Sequence, residues 1–168
     1  MTFNQINNED AHQLKDFVYL AIHVNDHTER PDRSVLEVPQ IMKYYEGWGR
    51  QGDFGLKAVN EDDDMIIGMI WIRLFESEDP SYGFISDEIP EITMSIRPEY
   101  RGQGVGTQLM TKLIENVKTQ FNALSLSVSF DNPAKRLYEK FGFVKYEKVG
   151  DSITMCLDLD YWNGATSW

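Results

Sequence analysis

The sequence predicts a mixed α/β fold, and three observations carry that expectation. Segments such as "EITMSI" (91–96) and "LSLSVSF" (124–130) place apolar residues at every second position, the period of a strand. Other segments, such as 105–117, place them three and four apart, the period of a helix. Both kinds recur along a chain of 168 residues, long enough for one sizeable core, so a single domain over 1–168 is expected.

The elements follow in order. "TFNQI" reads as a short edge strand. From Asp10, the residues Leu14, Phe17, Val18, Ala21 and Ile22 recur at helical spacing, with Asn8 or Asp10 as the cap. Residues 23–34 are polar and include a proline, so they form a loop; "VPQIMKYYEGWG" is a short helix stopping at Gly47 or Gly49. "FGLKAVN" and "MIIGMIWIRLF" flank "EDDD", which makes a hairpin with an acidic tip. Residues 76–90 form a loop long enough to suggest a function. In 91–96, Ile92, Met94 and Ile96 face one way and Glu91, Thr93 and Ser95 the other. Val105, Leu109, Leu113, Ile114 and Val117 then make an amphipathic helix, followed by the strand 124–130. "DNPAKRLYEKFGF" opens with an Asn-Pro helix start and ends at Gly142, and a closing hairpin turns near Gly150 and Asp151. The order β-α-α-β-β-β-α-β-α-β-β contains seven strands and four helices. The strands on either side of 105–117 should be parallel, joined by a right-handed crossover.

Composition narrows the function. The chain carries 27 acidic against 16 basic residues, a net charge of −11, which disfavours duplex nucleic acid as a partner. That charge serves solubility or attracts a cationic small molecule or peptide. No apolar run approaches the roughly 20 residues that span a bilayer, so no membrane is expected. The first residues lack the basic and then apolar pattern of a signal peptide. The single cysteine, Cys156, excludes an internal disulfide and offers no metal-site spacing. A cytoplasmic protein without a metal is expected.

The stretch "SIRPEYRGQGVGTQLM" sets three glycines in five positions between a strand and a helix. Glycine costs conformational entropy, and a plain tight turn needs only one. A helix N-terminus presents unpaired N–H groups and about half a positive charge, which suits phosphate. Without side chains at Gly102, Gly104 and Gly106 a diphosphate could approach the backbone, and Arg101 adds a cation at the rim. A Walker loop needs Gly-Lys-Ser/Thr, and no lysine follows Gly106. A Rossmann fingerprint needs its last glycine where Thr107 stands, within a nucleotide-binding half that this order of elements lacks.

"IRPEYRGQGVGTQLM" resembles the acyl-CoA-binding motif of the GNAT superfamily of N-acetyltransferases, R/Q-x-x-G-x-G/A, met by Arg101, Gly104 and Gly106. "NPAKRLYEKFGF" is similar to that family's second motif, an asparagine followed six residues later by a tyrosine. The strong resemblance covers residues 88 to 148. It implies a GNAT-like fold: a mixed, mostly antiparallel sheet of about seven strands flanked by about four helices, with a splayed parallel pair at the acyl-CoA site. It also implies acetyl-CoA as donor and a primary amine as acceptor. The main chain of Met94, Ser95 and Ile96 would pair with the pantetheine arm. The diphosphate would sit on the amides of Arg101, Gly102, Gln103, Gly104, Val105, Gly106 and Thr107. Asn132 is a helix cap, a contact near the CoA arm, or both. Tyr138 is a core residue beside Leu137 and Phe141 or the acid that protonates the leaving thiolate, with an ordinary phenol pKa of about 10. Glu91 is a solvated strand-end charge or the general base, with Asp87 and Glu88 as alternatives. His12, His23 and His27 read as surface or lid residues. The acidic loop 76–90 favours a cationic amine, and the exposed closing strands favour a homodimer. An acyl-CoA-binding module without turnover is the competing reading; Tyr138 argues for the enzyme, since a pure binder needs no thiolate acid.

Overall fold

Strand periodicity in the sequence becomes a single run of hydrogen-bonded strands. A computed structural model describes residues 1–25 and 27–162. Seven strands pair in the order β1-β2-β3-β4-β5-β7-β6, and four α-helices accompany them among the described residues. The chain divides into two compact units. The first comprises Met1–Arg73 and Thr93–Leu113; the second comprises Leu74–Ile92 and the residues from Ile114 onward.

In the first unit, β1 (Thr2–Gln5) pairs antiparallel with β2 (Phe54–Asn60), which pairs antiparallel with β3 (Met65–Arg73). Only Met65 of β3 is exposed, because the strand is apolar on both faces: Ile67, Met69, Ile70, Trp71 and Ile72 are all fully buried. Helix α1 (Leu14–Ala21) contributes Leu14, Phe17 and Val18 to the same core, as the spacing predicts. The expected cap is corrected. Of the two expected caps, Asn8 and Asp10, Asp10 makes no side-chain cap bond; instead Asn7 Oδ1 accepts from the N–H groups of Glu9 and Asp10. The Asp10 carboxylate turns to Lys57 on β2, with Nζ–O distances of 2.8 and 2.7 Å. Its Oδ2 also accepts from the Asn7 N–H at 2.9 Å, so Asp10 serves the local turn and the strand at once.

The second expected helix shortens to one turn, α2 (Pro39–Met42). The segment after it is organised by Arg73 at the end of β3, which is 1% exposed. Its guanidinium pairs with both Asp53 oxygens, at 3.0 and 2.8 Å, and donates to the carbonyls of Lys43 and Glu46. A planar donor fork matches such a cluster of acceptors, and burial strengthens each bond. Trp71 Nε1 adds a bond of 2.9 Å to the Tyr44 carbonyl.

In the second unit, β5 (Ala123–Ser129) runs antiparallel to β7 (Ser152–Asp158) over seven register pairs, and β7 pairs with β6 (Val144–Val149). Leu124, Leu126, Val128, Ile153, Met155 and Leu157 form a buried apolar face. Helix α4 (Lys135–Phe141) closes at Gly142 in the left-handed conformation, as the sequence signals. The strand β4 (Glu91–Ile96) meets β5 in parallel, with Glu91 registered on Ser125, so the expected parallel pairing holds.

The Arg73 cluster yields a stability prediction. Asp53→Ala leaves a buried guanidinium without its carboxylate, which costs about 3–5 kcal/mol. Urea unfolding of the two proteins measures it; a loss below 1 kcal/mol would refute the cluster's role.

Candidate active site

The glycine turn lies in the first unit. After a short 3₁₀ turn at Pro98–Tyr100, Gly102 and Gly104 take φ values of 73° and 84°, and helix α3 (Val105–Val117) starts directly behind them. Side chains rarely adopt such φ values, so glycine is required there by the backbone path rather than by crowding. A Cβ at either position would meet nothing within 4 Å. Residues 101–104 are exposed. Gly106 lies inside the helix, where its lack of a side chain has no conformational cause. The first turn of α3 has no acidic residue, so no carboxylate of its own occupies the positive end of the helix. Arg101 Nε donates to the Ile96 carbonyl at 3.0 Å, which fixes its cation beside the turn. Gln103 Nε2 bonds back to the Glu99 carbonyl, and the Thr107 carbonyl accepts from Thr111. Bonds from the Arg101 and Gln103 side chains to preceding carbonyls thus brace the turn, and residues 101–104 stay exposed.

On β4, Met94 and Ile96 are half-buried, while Ser95 is buried and donates its hydroxyl to the Phe17 carbonyl at 2.6 Å. The Ser95 side chain is thus committed to α1, leaving only its main chain for a ligand.

Glu91 departs from a solvated strand-end charge. It is 4% exposed, and its Oε1 accepts from the Ser81 hydroxyl and from the Gly83 N–H at 2.8 Å. Both donors come from the long loop 76–90, which folds over the start of β4. Gly83 must be glycine for that approach. A Cβ there would lie 2.9 Å from the Glu91 carboxyl carbon and within 3.0 Å of the backbone at Leu126 and Ser127. Asp87 instead accepts from the Ser77 N–H at 3.0 Å, and Glu88 is exposed. A recess of about 410 Å³ is lined by Ser77 and by residues 84–88. Of the three candidate carboxylates, Glu91 alone is withdrawn from solvent. Nothing in the sequence marks Ser81 or Gly83 as its partners, since the contact is made only when the loop folds back.

Asn132 Oδ1 accepts from the Ala134 N–H at 2.9 Å, a cap-like bond at the entry to α4. Tyr138 is buried on α4 and meets Phe143 edge to face, with ring centroids 6.0 Å apart. Burial pushes its phenol up to about 12, in place of the ordinary value of 10 expected from the sequence. Burial, and then the nearby Asp158 charge, also raise the Cys156 thiol.

The strand order, the parallel β4–β5 pair and the exposed glycine turn together define an acyltransferase fold. A GNAT-family acetyltransferase from Staphylococcus aureus Mu50 superposes with a TM-score of 0.65 over 94% of this chain and 99% of its own, at 20% identity. The spermidine/spermine N-acetyltransferase of Vibrio cholerae gives 0.59 over 95% and 92%, at 16% identity. In sequence, the Bacillus subtilis (strain 168) protein named "Putative ribosomal protein bS18-alanine N-acetyltransferase" is 40% identical over 60 residues. That match spans 34% of this chain and 40% of the relative. The chain belongs to the acetyltransferase (GNAT) family, whose family model matches residues 20–143. Among the described residues no group of metal-ligating side chains occurs, and no helix is long and apolar enough to cross a membrane.

The buried phenol has a measurable signature. Its folded-state pKa lies above the unfolded value of about 10. Its contribution to stability is therefore complete below pH 10 and is lost as pH rises through about 12. Other groups titrate there too, so the quantity to measure is the difference between wild type and Tyr138→Phe in chemical unfolding from pH 8 to 12. The wild type should fall more steeply above pH 10; parallel curves would show that the phenol is not held in a dry site.

Proposed function

We propose that this chain is an N-acetyltransferase, one domain over residues 1–168, which moves an acetyl group from acetyl-CoA to a primary amine by direct attack. The observation that carries the proposal is the open glycine turn, with two positive-φ glycines in front of a helix free of acidic residues in its first turn. Amides from Arg101 to Thr107 would take the diphosphate. The main chain of Met94, Ser95 and Ile96 would pair with the pantetheine arm, and Asn132 would contact that arm while keeping its cap-like bond.

Glu91 is the proposed base. A primary ammonium gives it one proton, and the freed nitrogen pair attacks the thioester carbon. The tetrahedral intermediate collapses as the C–S bond breaks; the amide nitrogen sheds its second proton, and the thiolate leaves as CoA thiol. The net reaction releases one proton. Tyr138 is the proposed acid, and its raised pKa keeps it protonated throughout the physiological range. An ordinary thiol has a pKa of about 8.5, so transfer from the phenol to a solvated thiolate is uphill. A thiolate leaving inside a dry site is a stronger base, which narrows that gap. A covalent acetyl-cysteine is disfavoured because the Cys156 thiol is raised and a thiol is a poor nucleophile.

The acidic loop 76–90 supports a cationic acceptor. So does the likeness in fold to a spermidine/spermine acetyltransferase; the short stretch similar to an alanine N-acetyltransferase supports a peptide N-terminus. β6 lies at the sheet edge with Val144, Tyr146 and Val149 exposed, which supports the expected homodimer.

The deciding experiment is thiol release from acetyl-CoA with spermidine, alaninamide and taurine as acceptors. The cationic amines should be turned over in preference to taurine, with the preference shrinking as salt rises. Binding of acetyl-CoA without thiol release would leave a silent binding module.

Gly104→Glu tests the donor site. A Cβ at Gly104 would meet nothing within 4 Å, so the side chain would project from the open turn. Its bulk and negative charge there should abolish acetyl-CoA binding in calorimetry, with a thermal melt checking that the variant is folded. Unchanged affinity in the folded variant would remove the diphosphate from this turn.

Tyr138→Phe keeps the ring and deletes the proton. With the acceptor that is turned over, kcat should fall about 10²- to 10⁴-fold while acetyl-CoA affinity holds. Because the phenol is raised to about 12, no phenol limb should appear in the wild-type rate profile below pH 11. Full turnover by the variant would leave solvent as the proton donor.

A further inference from the structure

Ser125 lies at the centre of the one β4–β5 register pair, yet its hydroxyl does nothing visible. It is 0% exposed, and its Oγ has no hydrogen-bond partner. Buried hydroxyls are nearly always paired, so an orphan calls for a physical reason. Its register partner is Glu91, so both side chains leave the sheet on the same face, on strands about 4.8 Å apart. Its own N–H is spent on the Pro90 carbonyl at 3.0 Å. Over this face lies Gly83, close to the Glu91 carboxyl and to the backbone of Leu126 and Ser127. A buried carboxylate and a buried acceptor oxygen thus stand side by side without bonding to each other. A group that carries positive charge and several N–H donors would bond the orphan hydroxyl and the carboxylate at once, in exchange for donors that now hold Glu91.

We propose that Glu91 and Ser125 form a subsite for a primary ammonium, in which Ser125 is a positioning residue that accepts one N–H while the carboxylate accepts another. Two directional acceptors aim the nitrogen, where a lone carboxylate would only attract it. Tertiary and quaternary ammonium groups, with one N–H donor or none, cannot serve both acceptors. In the present arrangement Ser81 and Gly83 supply the donors to Glu91, so the entering ammonium displaces them and the segment 81–83 acts as its cover. The proposal rests on the acetyl-transfer reading for its purpose, but not for its test.

The probe is ethylammonium chloride, titrated into the full chain and followed by NMR at the amides of Gly83 and Ser125, with sodium chloride as the ionic-strength control. Saturable shifts at both amides are expected in the wild type. Ser125→Ala should weaken the binding about tenfold or more, as expected for a lost hydrogen bond to a charged group. It should also melt no lower than the wild type, because it removes an unpaired buried hydroxyl. Ser125→Cys, whose sulfur is larger than the oxygen and a weaker acceptor, should fall between the two. Trimethylammonium should bind less tightly than ethylammonium to the wild type. Two results would overturn the subsite: no saturable response in the wild type, or unchanged affinity in a folded Ser125→Ala variant. Unchanged affinity with a lower melting temperature would assign the hydroxyl to an internal water instead. The two readings fail separately. Turnover without the ethylammonium response removes the subsite and keeps the transferase; the response without turnover of any acceptor does the reverse.

Discussion

A carboxylate removed from water has to be held by donors, and much of the second unit is arranged around that requirement at Glu91. The Ser81 hydroxyl and the Gly83 N–H meet its Oε1, and they can do so only because the loop 76–90 folds back over the strand that Glu91 begins. The loop's path is fixed in turn by Gly83, whose missing Cβ lets its backbone lie against Leu126 and Ser127. The parallel pairing of Glu91 with Ser125 sits beneath the same segment. One buried charge therefore ties together a loop, the start of β4 and the middle of β5.

The glycine turn follows a different logic. Its glycines at 102 and 104 answer to backbone dihedrals, while Gly106 sits inside the first turn of α3, where the backbone does not demand glycine. A helix start without an acidic side chain in its first turn keeps its unpaired amides for an external anion.

Burial sets the chemistry proposed for Tyr138 and Cys156. The phenol is kept protonated far beyond neutrality, which suits a donor and makes it reluctant to release its proton into water. The thiol is kept protonated as well, which suits a bystander. Burial is the cause at Tyr138; at Cys156 burial comes first and the charge of Asp158, two residues along β7, adds to it.

Sequence alone determined the elements, because periodicity and glycine punctuation are local. The strands 54–60 and 91–96, the helix 105–117 and the stop at Gly142 all stand where the pattern put them. The glycine motif and the Asn132–Tyr138 spacing also sufficed to indicate the family that the comparisons establish. Tertiary structure decided the rest. Asp10, one of the expected caps, makes no side-chain cap bond and pairs with Lys57, a residue 47 positions away. The second helix shrank to one turn while Arg73 organised the chain that follows it. Glu91 could be read from its position only as a strand-end residue, solvated or catalytic. Its burial, the donors Ser81 and Gly83 and the orphan hydroxyl beside it came from segments that meet only on folding. Side-chain periodicity reports which face a residue takes, whereas charge burial depends on what the rest of the chain lays over that face.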